Sequence, residues 1–483
     1  MSGKPRGRIQ FYMFLIRYLL VLLYLYLIQV YFTFPVKGSI LSFTAMNWLQ
    51  LLSLDTPDVQ QNQTRTVFDR DFDRIIFSHP FRKLQDKTQV HPLPEQDFVH
   101  TRLTHSLEVS SVGRSLGRLV GSKLIEKYDF LQNKISAHDF GAIVAAASLA
   151  HDIGNPPFGH SGESSISDYF KNAENELKSE VTEAEWADLI NFEGNAQGFR
   201  LLNRPGYQGL KLSSATLAAF TKYPRPSLVE KQDKTRRSQK KFGFYDTERT
   251  VFQELGKELG LEVLGTDQYC RHPLAFLVEA ADDICYHIID LEDGCNLGLV
   301  TYEQTVQLLA NVIGDKFQPE KLEAIHSLKE RIGVLRALAI NQLIGECVDL
   351  FMKHEEKLLT SEFDISLADE IPSKVAMAEI INVSIEKIYR SRDVVETEAA
   401  GYRVLNGLLE TLVPATLAGF KNNLSAKDKT YFRLLPTETQ TEVKQANSAY
   451  IALRSVLDYV AGMTDSNALN LYRKIMGISL PGR

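Results

Sequence analysis

The chain has 483 residues, 44% hydrophobic and 24% charged, so it can bury a large core and reads as globular, with length enough for two or three domains. A net charge of −6 and a pI near 6.1 argue against an overall electrostatic nucleic-acid binder, leaving only local basic patches to attract phosphate. Cys270, Cys285, Cys295 and Cys347 form no CxxC pair and no framework spacing, which fits reduced thiols in a cytosolic protein.

Residues 1–45 form an apolar N-terminal extension unlike the rest. Ile9 to Phe34 is almost wholly apolar, interrupted by Gln10, Arg17 and Gln29, and its 26 residues suffice to cross a hydrocarbon layer of roughly 30 Å. Lys4, Arg6, Arg8 and Arg17 precede or enter it while only Lys37 follows closely, so the positive-inside tendency would send the remaining chain out of the cytoplasm. That topology conflicts with a domain of reduced thiols. Met46, opening "MNWLQLLS", supplies the favoured alternative, a mis-called start upstream of the true one; a membrane or signal segment is the other reading.

From Met46 onward the apolar residues recur at three- and four-residue spacing, as in "FGAIVAAASLAHDI", "PLAFLVEAADDICYHIIDLEDG", "VAMAEIINVSIEKIYRS" and "NSAYIALRSVLDYVAGM". Ser136 with Asp139 and Thr301 with Gln304 have capping-box spacing. An all-α fold follows. In "RLTHSLEVSSVGRSLGRLV", His105 falls in line with Val109, Val112, Leu116 and Leu119 at about 100° per residue, placing an imidazole in an apolar stripe.

The segment "LAHDIGNPPFGHSGE", Leu149 to Glu163, gathers a His-Asp pair, two prolines, a second His and a Glu. The helix around Phe140 to Ile153 is expected to end at Gly154, Asn155, Pro156 and Pro157, with His151 on the same buried line as Phe140, Val144 and Ala147. Taken singly, His151 reads as a core imidazole satisfied by a carbonyl and Asp152 as a local cap. Further along, "KQDKTRRSQKK", Lys231 to Lys241, reads as a solvated basic loop. In "FLVEAADDICYHIIDLEDG", Asp282 aligns with Ala275, Val278, Tyr286 and Ile289, and Asp283 with Glu279, His287 and Asp290, so Asp282 is the better buried ligand. A carboxylate on a core face needs a metal, a cation or a proton, and two imidazoles with two carboxylates suit a borderline divalent ion.

The order His, His-Asp, Asp is that of the HD phosphohydrolase superfamily. With "FRKLQDKTQV", "HTRLTHSLEV", "FEGNAQGFRLL" and "ATLAAFTKYP", the chain from about Met46 to its C-terminus resembles the bacterial dGTP triphosphohydrolases. The resemblance implies an HD-domain helical bundle, its metal-binding core at about 65–300, with additional C-terminal helices at about 301–483. It implies a divalent metal, Mn²⁺ foremost with Mg²⁺, Fe²⁺, Ni²⁺ or Zn²⁺ as alternatives, held by His105, His151, Asp152 and Asp282. Arg102 would meet the α-phosphate, His160 and Glu163 would form the proton-transfer pair, and Gln89 would contact sugar or base. Tyr286 would exclude a 2′-hydroxyl, Asp290 would bind the 3′-hydroxyl, and Lys222 with Arg336 would neutralise the β- and γ-phosphates. Asn195 and Gln197 recur in the family motif without an assigned role.

The implied activity is hydrolysis of a dNTP to deoxynucleoside and tripolyphosphate in the cytoplasm, by a homo-oligomer without an obligatory protein partner. A nucleotide effector and weak binding of single-stranded DNA fit the same resemblance. The rivals are another HD phosphohydrolase acting on a nucleoside monophosphate, cyclic dinucleotide or guanosine tetraphosphate, which lacks the additional blocks, and a non-catalytic nucleotide- or single-strand-binding module, which would be expected to lose ligands or His160.

Overall fold

The computed structural model describes residues 45–54, 65–90, 100–205 and 209–478. The apolar stretch 9–34 lies outside them, and no helix among the described residues is long and apolar enough to cross a membrane. The architecture is all-α as expected. Among the described residues the sole sheet is a two-stranded antiparallel ladder, Val263–Gly265 with Gln268–Tyr269.

The helices that position the site are α1 (Arg102–Lys127), α2 (Ala137–Ala150), α3 (Gly159–Asn172), α4 (Gly194–Leu202), α5 (Pro273–Asn296), α6 (Leu328–Lys353), α7 (Arg392–Phe420), α8 (Ala449–Ala461) and α9 (Asp465–Ile475). Ser136 and Asp139 cap α2 reciprocally, and the Thr301 side chain accepts from Gln304 N, as their spacing predicts.

α1 and α2 lie against each other because glycine removes the obstacle at every turn. Gly113, Gly117 and Gly121, four residues apart, share one face of α1. A methyl group at Gly117 would stand 2.6 Å from the Phe140 carbonyl, and one at Gly121 2.7 Å from the Phe140 ring. This close approach brings the rings of His105 and His151, at the same end of the pair, to 5.4 Å between centroids. The apolar line on α1 continues from Leu116 through Val120 and Leu124, all fully buried, and leaves out Leu119, which is 45% exposed.

α2 also ends earlier, at Ala150, rather than continuing to Ile153. The chain tightens there into three-residue turns: Ile153 N donates to Ala150 O at 2.8 Å and Asn155 N to Asp152 O at 3.3 Å. Gly154 then takes φ +110°, with its backbone so close to Gly194 and Gly198 that neither a side chain nor another dihedral fits. The reason that "EGNAQG" needs its glycines is this contact.

Two hydrophobic cores organise the packing. The larger is built from residues between Met46 and Ile388 and includes α1, α2, α5 and α6. The second joins α3 and the Leu177–Phe192 region to α7 and α8, from Val404 to Ala468. Buried residues between 301 and 388 share the larger core with the His/Asp-bearing helices, and the second core draws on both 166–192 and 404–468.

Candidate active site

α1 supplies His105, the turn after α2 supplies His151 and Asp152, and α5 supplies Asp282. His105 Nε2 stands 3.2 Å and His151 Nε2 3.5 Å from Asp282 Oδ1, and His151 Nε2 is 3.6 Å from Asp152 Oδ2. His151 Nδ1 lies 2.7 Å from Ser148 O, so its proton is used on that carbonyl and the Nε2 lone pair is left facing the carboxylates. Asp152 Oδ1 accepts from Arg102 and Asn155, whereas Asp152 Oδ2 is buried with no hydrogen-bond partner.

That orphaned oxygen beside two imidazoles fits a divalent cation. One atom each from His105, His151 and Asp282 already lies within 4.8 Å of the others. Burial alone would raise the Asp282 carboxyl; His151, His105 and Lys222 reverse the sign and hold it well below the usual carboxylate range. The two adjacent aspartates differ in partner rather than in burial, both being intermediate: Asp283 turns to Ser366 Oγ at 2.7 Å, and burial raises it to about 6.

All of these groups border a cavity of about 660 Å³, except His105, which lies behind it. Arg102 Nη1 holds Asp152 Oδ1 at 2.7 Å, so only part of its donor fork remains for a ligand; its buried Nε has no partner. Gln89 lines the cavity with its Oε1 buried and unpartnered.

Beyond the double proline, Phe158 and Gly159 both take left-handed dihedrals, φ +62° and +57°, and launch α3. His160 Nδ1 then pairs with Glu163 Oε2 at 3.0 Å, while Glu163 Oε1 accepts from Gly194 N at 2.7 Å. Burial opposes the Glu163 charge, but His160 and Lys241 outweigh it and lower its pKa. The imidazole is 84% exposed at the cavity rim, and its carboxylate partner is buried. The unassigned motif acquires roles here: Asn195 borders the cavity, and Gln197 is buried between Asp458 and Arg454.

Lys222 lies on the cavity, its ammonium 3.2 Å from Glu279 Oε1. The basic segment 231–241 is not wholly a solvated loop. Lys231 and Lys234 are exposed, but Arg237, Lys240 and Lys241 line the cavity, with Arg237 Nε 2.9 Å from Glu279 Oε1 and Lys241 Nζ 3.1 Å from Glu193 Oε1. Glu279 is buried, yet Arg271, Lys222 and Arg237 hold it far below the usual carboxylate range.

Tyr286 lines the cavity and stacks on Tyr389, centroids 5.6 Å apart at 27°. Two expected ligand contacts stand elsewhere. Asp290 is 4% exposed, outside the lining, and accepts from the Tyr389 hydroxyl at 2.7 Å, so Tyr389 separates it from the cavity. Arg336 on α6 also lies outside the lining and pairs with the buried Glu292 of α5 at 2.6 Å. Tyr389, Arg237, Lys240 and Lys241 were missed as site residues; six basic residues in eleven were the available signal for the last three.

Two family models match the chain: the HD domain at residues 102–190 and the phosphohydrolase-associated domain at 372–474. A Synechocystis protein named deoxyguanosinetriphosphate triphosphohydrolase-like is 41% identical over 456 residues, covering 90% of this chain and 100% of the relative. A Pseudomonas aeruginosa protein of the same name is 37% identical, with the same two coverages. The Cronobacter sakazakii deoxyguanosinetriphosphate triphosphohydrolase is 31% identical over 509 residues, covering 90% of this chain and 98% of that protein.

Proposed function

This chain belongs to the HD-domain family of deoxyguanosinetriphosphate triphosphohydrolases and their like, and from that premise we propose that it hydrolyses a deoxynucleoside triphosphate to deoxynucleoside and tripolyphosphate, with a divalent metal. The observation that carries this reading is one cavity bordered both by His151, Asp152 with its orphaned oxygen, and Asp282, which His105 joins from outside the lining, and by Lys222, Arg237, Lys240 and Lys241, suited to a triphosphate.

His105, His151, Asp152 and Asp282 would hold the ion, most simply Mn²⁺. Bound there, it supplies positive charge that polarises an α-phosphate oxygen and lowers the pKa of the attacking water. The protein's own groups do the rest. Arg102, fixed by Asp152, offers its unpartnered donor edge to the α-phosphate. Water attacks the α-phosphorus, the bond to the 5′-oxygen breaks, and a proton must reach that oxygen. His160, oriented by Glu163, moves this proton. Lys222, Arg237, Lys240 and Lys241 take the remaining phosphates, and the Tyr286–Tyr389 pair and Gln89 take sugar and base.

The test is to incubate Mn²⁺-loaded protein with each dNTP and each rNTP and identify both products. Tripolyphosphate and deoxynucleoside from one or more dNTPs are expected. Pyrophosphate with a nucleoside monophosphate would overturn the assignment.

A further inference from the structure

Asp465, at the first position of α9, is 2% exposed and far along the chain from every residue assigned above. Its Oδ1 accepts from Phe158 N at 2.9 Å. Its Oδ2 accepts from Thr88 N at 2.9 Å and Thr88 Oγ1 at 2.6 Å. One buried carboxylate thus satisfies three donors on two separate stretches of cavity wall. Phe158 N belongs to the left-handed residue that immediately precedes Gly159 and His160, and Thr88 immediately precedes Gln89.

The turn carrying Asp465 grips the same wall at other points. Lys83 Nζ donates to Gly462 O at 2.7 Å, Ser466 Oγ to Asp86 Oδ1 at 2.9 Å, and Lys87 Nζ to Ala461 O at 2.9 Å. Lys87 also donates to Asn155 O, and Asn155 in turn donates to Asp152 Oδ1. A non-glycine residue at φ +62° is costly and persists only when its surroundings over-determine it. Asp465 is what fixes the Phe158 amide, and so the direction in which the chain enters α3.

We propose that Asp465 is a positioning residue of the acid–base pair: the C-terminal turn Ala461–Ser466 sets the placement of His160 through Phe158 and ties it to the Thr88–Gln89 wall. This makes the phosphohydrolase-associated region part of the catalytic apparatus rather than an appended layer. The inference rests on the proton-transfer role given to His160 above.

Asp465→Asn is the test substitution, because all three groups facing the carboxylate are donors and an amide offers only one acceptor oxygen. Turnover by D465N should fall about tenfold to a hundredfold, the cost of a misplaced catalytic group. In a His160→Ala background, the same change should cost less than about twofold, since there is no imidazole left to misplace. Amide exchange in segments 84–90 and 156–162 should accelerate together in D465N, with metal content close to that of the parent. An equal loss in both backgrounds, or unchanged exchange in either segment, would overturn the proposal. If the parent protein hydrolyses no dNTP, the function proposed above falls, and the exchange measurement still decides whether Asp465 holds the two segments.

Discussion

Within one cavity, the histidine–aspartate cluster and the cation cluster are balanced in opposite ways. Asp152 Oδ2 is buried without a hydrogen-bond partner, Arg102 having taken only Oδ1, so the first cluster has room for a further positive group. In the second, Lys222 and Arg237 share Glu279, and Lys241 meets Glu193, so part of its charge is already countered before any ligand arrives. A cation added to the first would replace the His105–Asp282 hydrogen bond while leaving the Arg102–Asp152 pair in place. An anion that joins the second at Lys222, Arg237 or Lys241 competes with carboxylates, which makes binding at those three an exchange of partners rather than a simple gain. The first cluster should therefore govern whether chemistry occurs, and the second how tightly the triphosphate is held.

The largest expected effect tests the first half of that contrast. Asp282→Ala removes the carboxylate nearest both imidazoles, and metal content and turnover should be lost together. Replacing Asp283 should be milder, because that side chain faces Ser366. His160→Ala should separate the two quantities: it leaves the His/Asp cluster intact and removes proton transfer, typically worth 10²–10⁴-fold. Elemental analysis beside turnover checks all three variants. Loss of metal in His160→Ala would make His160 a ligand and dissolve the division between cluster and acid–base pair.

The two clusters also differ in how far the sequence discloses them. His105, His151 and Asp282 are legible because each puts an ionisable group on an apolar helical line, a costly arrangement that needs a partner, and His160–Glu163 is legible as an i, i+3 pair. Periodicity follows a regular helix, however, and Asp152 lies on turns tighter than α, so its split between Arg102 and an open oxygen could not be read from helical angle. The cation cluster comes from a loop, where no periodicity says which lysines face inward: Lys231 and Lys234 are exposed while Lys241 reaches Glu193 from the same run. Tyr389 reaches Tyr286 across more than a hundred residues of chain, and Asp465 reaches Phe158 across three hundred and seven, contacts that only tertiary packing creates. The helical class was legible throughout, whereas the second core was not, because α3 and α7 share it from distant parts of the sequence.

A medium effect tests the exchange of partners. Arg237→Ala removes one cation, yet leaves Glu279 paired with Arg271 and Lys222, so the fold should hold. Loss of a charge-assisted contact to phosphate, worth about 1.5–3 kcal/mol, corresponds to roughly a tenfold to hundredfold rise in KM with kcat little changed. Steady-state kinetics for a dNTP at two ionic strengths measures it. A fall in kcat at constant KM would mean that Arg237 acts on the transition state and belongs functionally with the first cluster.

The smallest effect is expected at Arg336, where family resemblance and position in the fold diverge. Resemblance would place it on the β- and γ-phosphates, beside Lys222. In the structure its side chain is 36% exposed, it stands outside the cavity lining, and its partner is Glu292 at 2.6 Å. Reaching the phosphates would require breaking that ion pair. Glu292 is buried although Arg336 is partly exposed, so Arg336→Ala leaves a carboxylate without its partner and should lower the melting temperature. KM for the dNTP should stay within about twofold of the parent, against the larger rise for Arg237→Ala measured in the same assay. A tenfold rise for Arg336→Ala would show that the guanidinium reaches the triphosphate after all, by movement of α6 or from a neighbouring copy of the chain. The cation cluster would then extend beyond the side chains that now line the cavity.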